Sequence, residues 1–89
     1  MTGRSFFLEM KFHSVTITVY DRESAFSTVN KLLHEYSRFI QARLGYPVPG
    51  KNVAVIFMIM NMTTDDLGAL TGKIGQITNV SVKAATLKI

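Results

Sequence analysis

The side chains with conventional acid–base or metal-binding chemistry are few in this 89-residue chain: two histidines, six carboxylates and no cysteine. The most conspicuous grouping is His34-Glu35, within KLLHEYSRF. A zinc-protease helix needs a second histidine three positions beyond the glutamate, one turn from the first. Arg38 stands there instead. At about 100° per residue, His34 points away from Val29, Leu32 and Tyr36 and shares a face with Asn30 and Arg38, the ordinary position of a solvated or subunit-contact side chain. The remaining metal reading pairs His34 with His13 and takes further ligands across a subunit contact, because nickel and zinc want three or four donors.

Other groupings point elsewhere. Asp65-Asp66 follows two threonines, and carboxylates there suit the positive end of a helix dipole better than a paired acid and base. GALTGKIG (68–75) has three residues between its glycines where a phosphate loop has four, and Ile74 follows Lys73 where a Ser or Thr is needed. It also falls in the latter half of a helix, where the dipole repels anions. No Ser/His/Asp set has recognisable spacing. The chain reads as non-enzymatic and without an assigned cofactor, with a metal ion or a small metabolite as the open options.

Hydrophobic periodicity defines the elements that would position these residues. FHSVTITVY (12–20) alternates, with His13, Val15, Ile17 and Val19 on one face of a strand. Phe6, Leu8, Met10 and Phe12 alternate upstream, so the strand starts early or another precedes it. Asp21 can cap a helix with Glu23 in its first turn. Ala25, Val29, Leu32, Leu33 and Tyr36 continue it to about Arg38. FIQARL (39–44) alternates Ile40, Ala42 and Leu44 against Gln41 and Arg43, and GYPVPG (45–50) reads as the turn that follows. NVAVIFMIMNM (52–62) is apolar on both faces, the pattern of a strand covered on both sides. Thr63 or Thr64 caps a second helix with the stripe Leu67, Leu70, Ile74 and Ile77. Gly75 suits its left-handed end, and Gly68 and Gly72 suit close packing. NVSVKAATLKI (79–89) is the last strand, with a bulge expected at Ala84-Ala85.

The order is β-α-β-β-α-β. The expected fold is α+β and ferredoxin-like, a four-stranded antiparallel sheet with two helices on one face. Residues 1–11 form an N-terminal extension or the early part of the first strand, and 12–89 a single ferredoxin-like domain. Apolar residues make up 47% of this short chain, more than so small a domain readily hides. The third strand's second face needs a cover, and another copy of the chain is the simplest one. A homo-oligomer, dimer or tetramer, is expected. The ten Lys and Arg residues give a net charge of +4 but form no run, so direct nucleic-acid binding is not expected. The longest apolar run is far short of the ~20 residues that cross a membrane. The N-terminus does not read as a signal peptide, and a cytoplasmic location is expected.

A resemblance adds to this. DRES, VNKLLHEYSRFIQARLGYP, NVAVIFMI and LTGKIGQITNVSVKAA occur in the order seen in the iron-only hydrogenase system regulators, which the chain resembles over about residues 15–86. The resemblance implies a fold similar to ACT domains and to the C-terminal domain of the nickel-responsive repressor, both regulatory and oligomeric. It implies a regulatory or ligand-sensing role, with a pure oligomerisation or protein-interaction module, or a metal sensor, as alternatives. No segment resembles the repressor's DNA-binding domain, so operator binding by this chain is not expected. ACT domains hold ligands where the first strand meets the first helix, at a subunit interface. By that resemblance Asp21, Arg22 and Ser24, with Asn30 one face along, are the candidate effector-binding residues, beside a plain capping role for the same side chains.

Overall fold

The computed structural model describes residues 9–89. In chain order it has β1 (Lys11–Val19), α1 (Arg22–Glu35), a 3-10 turn (Ser37–Phe39), β2 (Ile40–Pro47), β3 (Ala54–Met62), α2 (Thr64–Gly75) and β4 (Val80–Thr86). The sheet order is β2-β3-β1-β4, and every pairing is antiparallel. This is the expected ferredoxin-like arrangement, with β1 and β3 central. Of the upstream alternation, Phe6 and Leu8 lie outside the described residues, and the strand begins at Lys11.

One sheet face is sealed. Val15, Ile17 and Val19 of β1 and Ile56, Met58, Met60 and Met62 of β3 are fully or almost fully buried. They meet Ala25, Val29 and Leu33 from α1 and Leu70 and Ile74 from α2. Each large side chain so buried contributes roughly 1.5–3 kcal/mol relative to exposure, which is why the two helices lie on this face. Thr63 is the cap residue of α2, its Oγ1 accepting the Asp66 N–H at 3.0 Å. The far end of α2 is tied to α1 by Lys73, whose Nζ donates to the Tyr36 hydroxyl at 3.3 Å.

Several boundaries differ from those read along the sequence. α1 stops at Glu35 because Tyr36 and Phe39 donate to carbonyls three residues back, Leu33 and Tyr36, tightening the chain into a 3-10 turn. Gly45-Tyr46-Pro47 is not a turn but the end of β2, paired with Ile56, Val55 and Ala54. The connecting loop begins at Val48, and Gly50, with φ +73°, supplies its left-handed residue. Pro47 is tolerated because β2 is an edge strand. Between Ile40 and Ala42 the register shifts by one residue at Gln41. The bulge splits the Ile40, Ala42, Leu44 set. Ile40 stays on the helix face, while Ala42 and Leu44 turn to the open face opposite Ile59 and Phe57.

β4 has no bulge. Its register with β1 is continuous from Val80 to Thr86, leaving Ala84 and Ala85 exposed on an edge beyond the helices' reach. The left-handed residue after α2 is Asn79, φ 64°, and Gly75 is helical. Gly68 and Gly72 are exposed, and a Cβ at either would touch nothing within 4 Å, so they do not serve close packing among the described residues. Gly68→Ala and Gly72→Ala should therefore each raise stability by about 0.5–1 kcal/mol in urea titrations, the helix-interior cost of glycine. A loss of stability would show that this face of α2 is packed against another molecule.

Candidate functional site

The junction of β1 with α1 is held from two sides. The Tyr20 N–H donates to the Asn79 carbonyl at 2.7 Å, and the Arg22 N–H donates to the Asn52 carbonyl at 3.1 Å. Asn79 can reach there because asparagine tolerates the left-handed region. Asn52, in the β2–β3 loop, also donates its Nδ2 to Asp21 Oδ1 at 2.8 Å. Asp21 occupies the N-cap position, but its carboxylate does not close the cap bond; it is drawn to the loop instead. Its backbone carbonyl accepts the Ala25 N–H at 2.8 Å and starts the helix. The Ser24 hydroxyl is the largest influence; with the Asn52 amide and the Ser24 N–H it outweighs desolvation, the second largest, and holds the Asp21 carboxyl below its ordinary pKa.

The four residues singled out at this junction do not converge. Arg22 and Asn30 lie on the flank of α1 continued by Ser27, Lys31 and His34. Ser24 lies on the opposite flank with Thr28, beside Gln76, Thr78 and Asn79. Asn30 is already engaged, its Oδ1 accepting from Arg43 Nη2 at 2.6 Å. His34 is exposed, on the same flank as Asn30 as the helical wheel indicated, whereas Arg38 lies over the Phe39 ring with its Cζ 4.8 Å from the centroid.

His13 is wholly buried on the helix face of β1. Nε2 donates to the Met62 carbonyl at 2.9 Å, since a carbonyl can only accept, and Nδ1 pairs with the Thr86 hydroxyl at 3.0 Å. Both ring nitrogens are thus occupied in joining β1 to β3 and β4. Among the described residues no three His, Asp or Glu side chains gather as a metal would need.

Between α1 and β2 runs a groove of about 490 Å³, with Arg22, Glu23 and Phe26 on one wall, Gly45 on the other and Ala54 and Ile56 at its base. Gly45 widens it, because a Cβ there would meet nothing within 4 Å. Among the described residues, no hydrogen bond or ion pair engages the side chains of Arg22 and Glu23. The groove can hold a small molecule with an apolar body and a charged end. Phe26, Arg43, Gly45 and Asn52 were not marked as site residues along the sequence. The bulge at Gln41, which turns Arg43 and Gly45 toward the helices, leaves no trace in an alternating pattern. Only Phe26, an aromatic of α1 left out of the apolar stripe read along the sequence, was there to be noticed.

Residues 11–84 match the model of a family described as "TM1266-like: Iron-only hydrogenase system regulator, putative". None of the curated proteins matches the chain. Among solved structures, the uncharacterized protein TM1266 from Thermotoga maritima is 49% identical, with a TM-score of 0.86, over 90% of this chain and 100% of that one. The ACT domain from GTP pyrophosphokinase of Chlorobium tepidum has a TM-score of 0.68 at 15% identity, over 85% of this chain and 99% of that one. A dimeric ferredoxin-like protein from an uncultured marine organism has a TM-score of 0.50 at 16% identity, over 91% and 96%. These last two show the fold alone.

Replacing His13 by Ala removes both hydrogen bonds and opens a cavity, so urea unfolding should show a loss of about 2–4 kcal/mol. An unchanged midpoint would mean that the imidazole is not structural. For Asp21, whose folded pKa is lowered, the stabilisation is complete above the unfolded carboxyl pKa of about 3.9 and is lost as pH falls through the lower folded value. Asp21→Asn should flatten the acid limb of the stability curve below about pH 4, and an identical limb in the variant would rule out that contribution.

Proposed function

The chain belongs to the TM1266-like family, and from that membership we propose that it is a non-enzymatic regulatory domain that self-associates and senses a small effector at the start of α1. The observation that carries the reading is the sheet face left uncovered among the described residues. Opposite the helices, β3 presents Val55, Phe57 and Ile59, and β2 presents Ala42, Leu44 and Tyr46 beside them. Leu44 is 63% exposed, Tyr46 54%, Phe57 40% and Phe12, on β1, 37%. The other half of that face is polar, with Ser14, Thr16 and Thr18 of β1 against Ser81, Lys83 and Ala85 of β4. A contiguous apolar patch bounded by polar residues is the signature of an interaction surface. A second copy of the chain suits it, since the patch carries no charge and two molecules of net charge +4 can meet there without opposing ionic groups.

The effector would enter the groove between α1 and β2, where Arg22, with no side-chain partner among the described residues, offers a cation and Phe26 an apolar wall. In the cytoplasm such a domain would relay the level of its effector to a partner of the system it regulates, which by family membership is that of iron-only hydrogenase. A specific observation supports a second reading, an assembly module without an effector: Asp21 and Asn30 spend their polar groups on Asn52 and Arg43 of the same chain.

Light scattering at tens of micromolar protein should give a dimer or tetramer, and Phe57→Glu should dissociate it with the far-ultraviolet dichroism unchanged. A monomeric wild type would overturn the self-association. A thermal-shift screen with amino acids, organic acids, nucleotides and divalent metals should raise the midpoint for one class of ligand, and Arg22→Ala should abolish the rise. No response to any of them, with assembly intact, would leave the second reading standing.

A further inference from the structure

We infer that the outer edge of β4 takes up an extended, acidic segment of a partner protein as an added strand, in the open space beside the glycine flank of α2. This surface is separate from the groove at β2 and from the open face of the sheet, and the inference rests on neither.

Backbone hydrogen bonds at both ends of β4 fix which groups it leaves over. The Tyr20 N–H donates to the Asn79 carbonyl at 2.7 Å, and the Leu87 N–H donates to the Phe12 carbonyl at 2.9 Å. Between them the register with β1 is unbroken, from Val80↔Val19 to Thr86↔His13. In an antiparallel ladder alternate residues turn their N–H and C=O groups to opposite sides. Ser81, Lys83 and Ala85 therefore bond to β1, while Val80, Val82, Ala84 and Thr86 point theirs outward. β4 is an edge of the sheet, and no described strand pairs with its outer side. It has no proline, glycine or bulge to blunt that edge. Paired donors and acceptors recur there at intervals of roughly 7 Å. Another extended backbone matches that pattern, and a compact small molecule does not.

α2 leaves room for such a strand. Lys73 reaches Tyr36, so its side of α2 faces α1. At about 100° per residue, Gly68 and Gly75 lie roughly 140–160° around the helix from Lys73, on the side away from α1. α2 packs against β4 and is joined to it by residues 76–79 alone. The two therefore run antiparallel, with Gly75 toward Val80 and Gly68 toward Ala84. A Cβ on either glycine would meet nothing within 4 Å. Ala84 is exposed although it lies opposite Val15, on the helix face. Side chains of an added strand that point to the helix face enter this space.

Charge selects the occupant. Lys83 projects on the other face, between Ser81 and Ala85 and opposite Thr16, and among the described residues no carboxylate pairs with it. Residues 79–89 include Lys83 and Lys88 and no carboxylate. A second copy of β4 would only add lysines to this ladder, and like charges opposite one another destabilise it. An aspartate or glutamate opposite Lys83 gains instead from an opposite-charge pair across the strands. The segment that fits is acidic on the open face and apolar toward α2.

Amide hydrogen exchange read by NMR on the full chain tests this. In the protein alone the Val82 and Ala84 amides should exchange rapidly, and those of Ser81 and Lys83, bonded to β1, slowly. A capped peptide of alternating valine and glutamate, at saturation, should slow Val82 and Ala84 by roughly tenfold or more, whereas a peptide of alternating valine and lysine should not. Lys83→Glu should reverse that preference. Ala84→Pro, which removes one outward donor and spares the bonds to β1, should abolish the slowing at Val82 with the far-ultraviolet dichroism unchanged. Slow exchange at Val82 and Ala84 in the protein alone would overturn the inference, because the edge would already be paired. No slowing by the glutamate peptide, or equal slowing by both peptides, would overturn it as well.

Discussion

Two helices can cover one face of a four-stranded sheet, and the described residues form two. Everything else in the molecule follows from which residues receive that cover. β1 and β3 occupy the centre and give the covered face Val15, Ile17, Met58 and Met60, all fully buried. The same strands have a second face, and β3 fills its half with Val55, Phe57 and Ile59. Among the described residues Phe57 stays 40% exposed. The self-association proposed above would bury them by the same hydrophobic effect that folds the domain.

Much of this was legible in the residues. The element order, the central strands and the two-faced β3 follow from period-2 and period-3.6 patterns, and Thr63 and the acids after it marked the start of α2 correctly. The failures cluster where one inserted residue or one edge position changes the meaning of a pattern. The bulge at Gln41 is invisible to periodicity, yet it decides that Arg43 and Gly45 face α1 and that Leu44 and Tyr46 do not. Gly and Pro at 45–47 are usual turn residues, but an edge strand accepts both. Ala84-Ala85 suggested a slipped phase because small residues carry little face information. Gly68 and Gly72 suggested close packing, but among the described residues nothing packs against them.

The candidate site shows a similar division. Sequence could place Asp21, Arg22 and Ser24 at the start of α1 and Asn30 further along it, because capping chemistry and helical phase are local. It could not show that Ser24 and Asn30 fall on opposite flanks of the helix relative to the elements packed around it. Nor could it show that Asn52 and Arg43 already engage Asp21 and Asn30. His13 is the clearest case: its alternation with Val15, Ile17 and Val19 placed it on the buried face, but its partners Met62 and Thr86 are 49 and 73 residues away. Long-range polar pairs of that kind leave no periodic signal.

The clamp at Asn52 has a mechanical consequence. A single loop residue holds the first turn of α1 twice, through its carbonyl to the Arg22 N–H and through its amide to Asp21, and that loop is the direct continuation of the edge strand β2. A molecule that displaces the first turn must break both bonds or drag the hairpin with it. The start of the helix and the rim of the sheet therefore behave as one lever rather than two independent parts, and a force applied at either end is felt at the other.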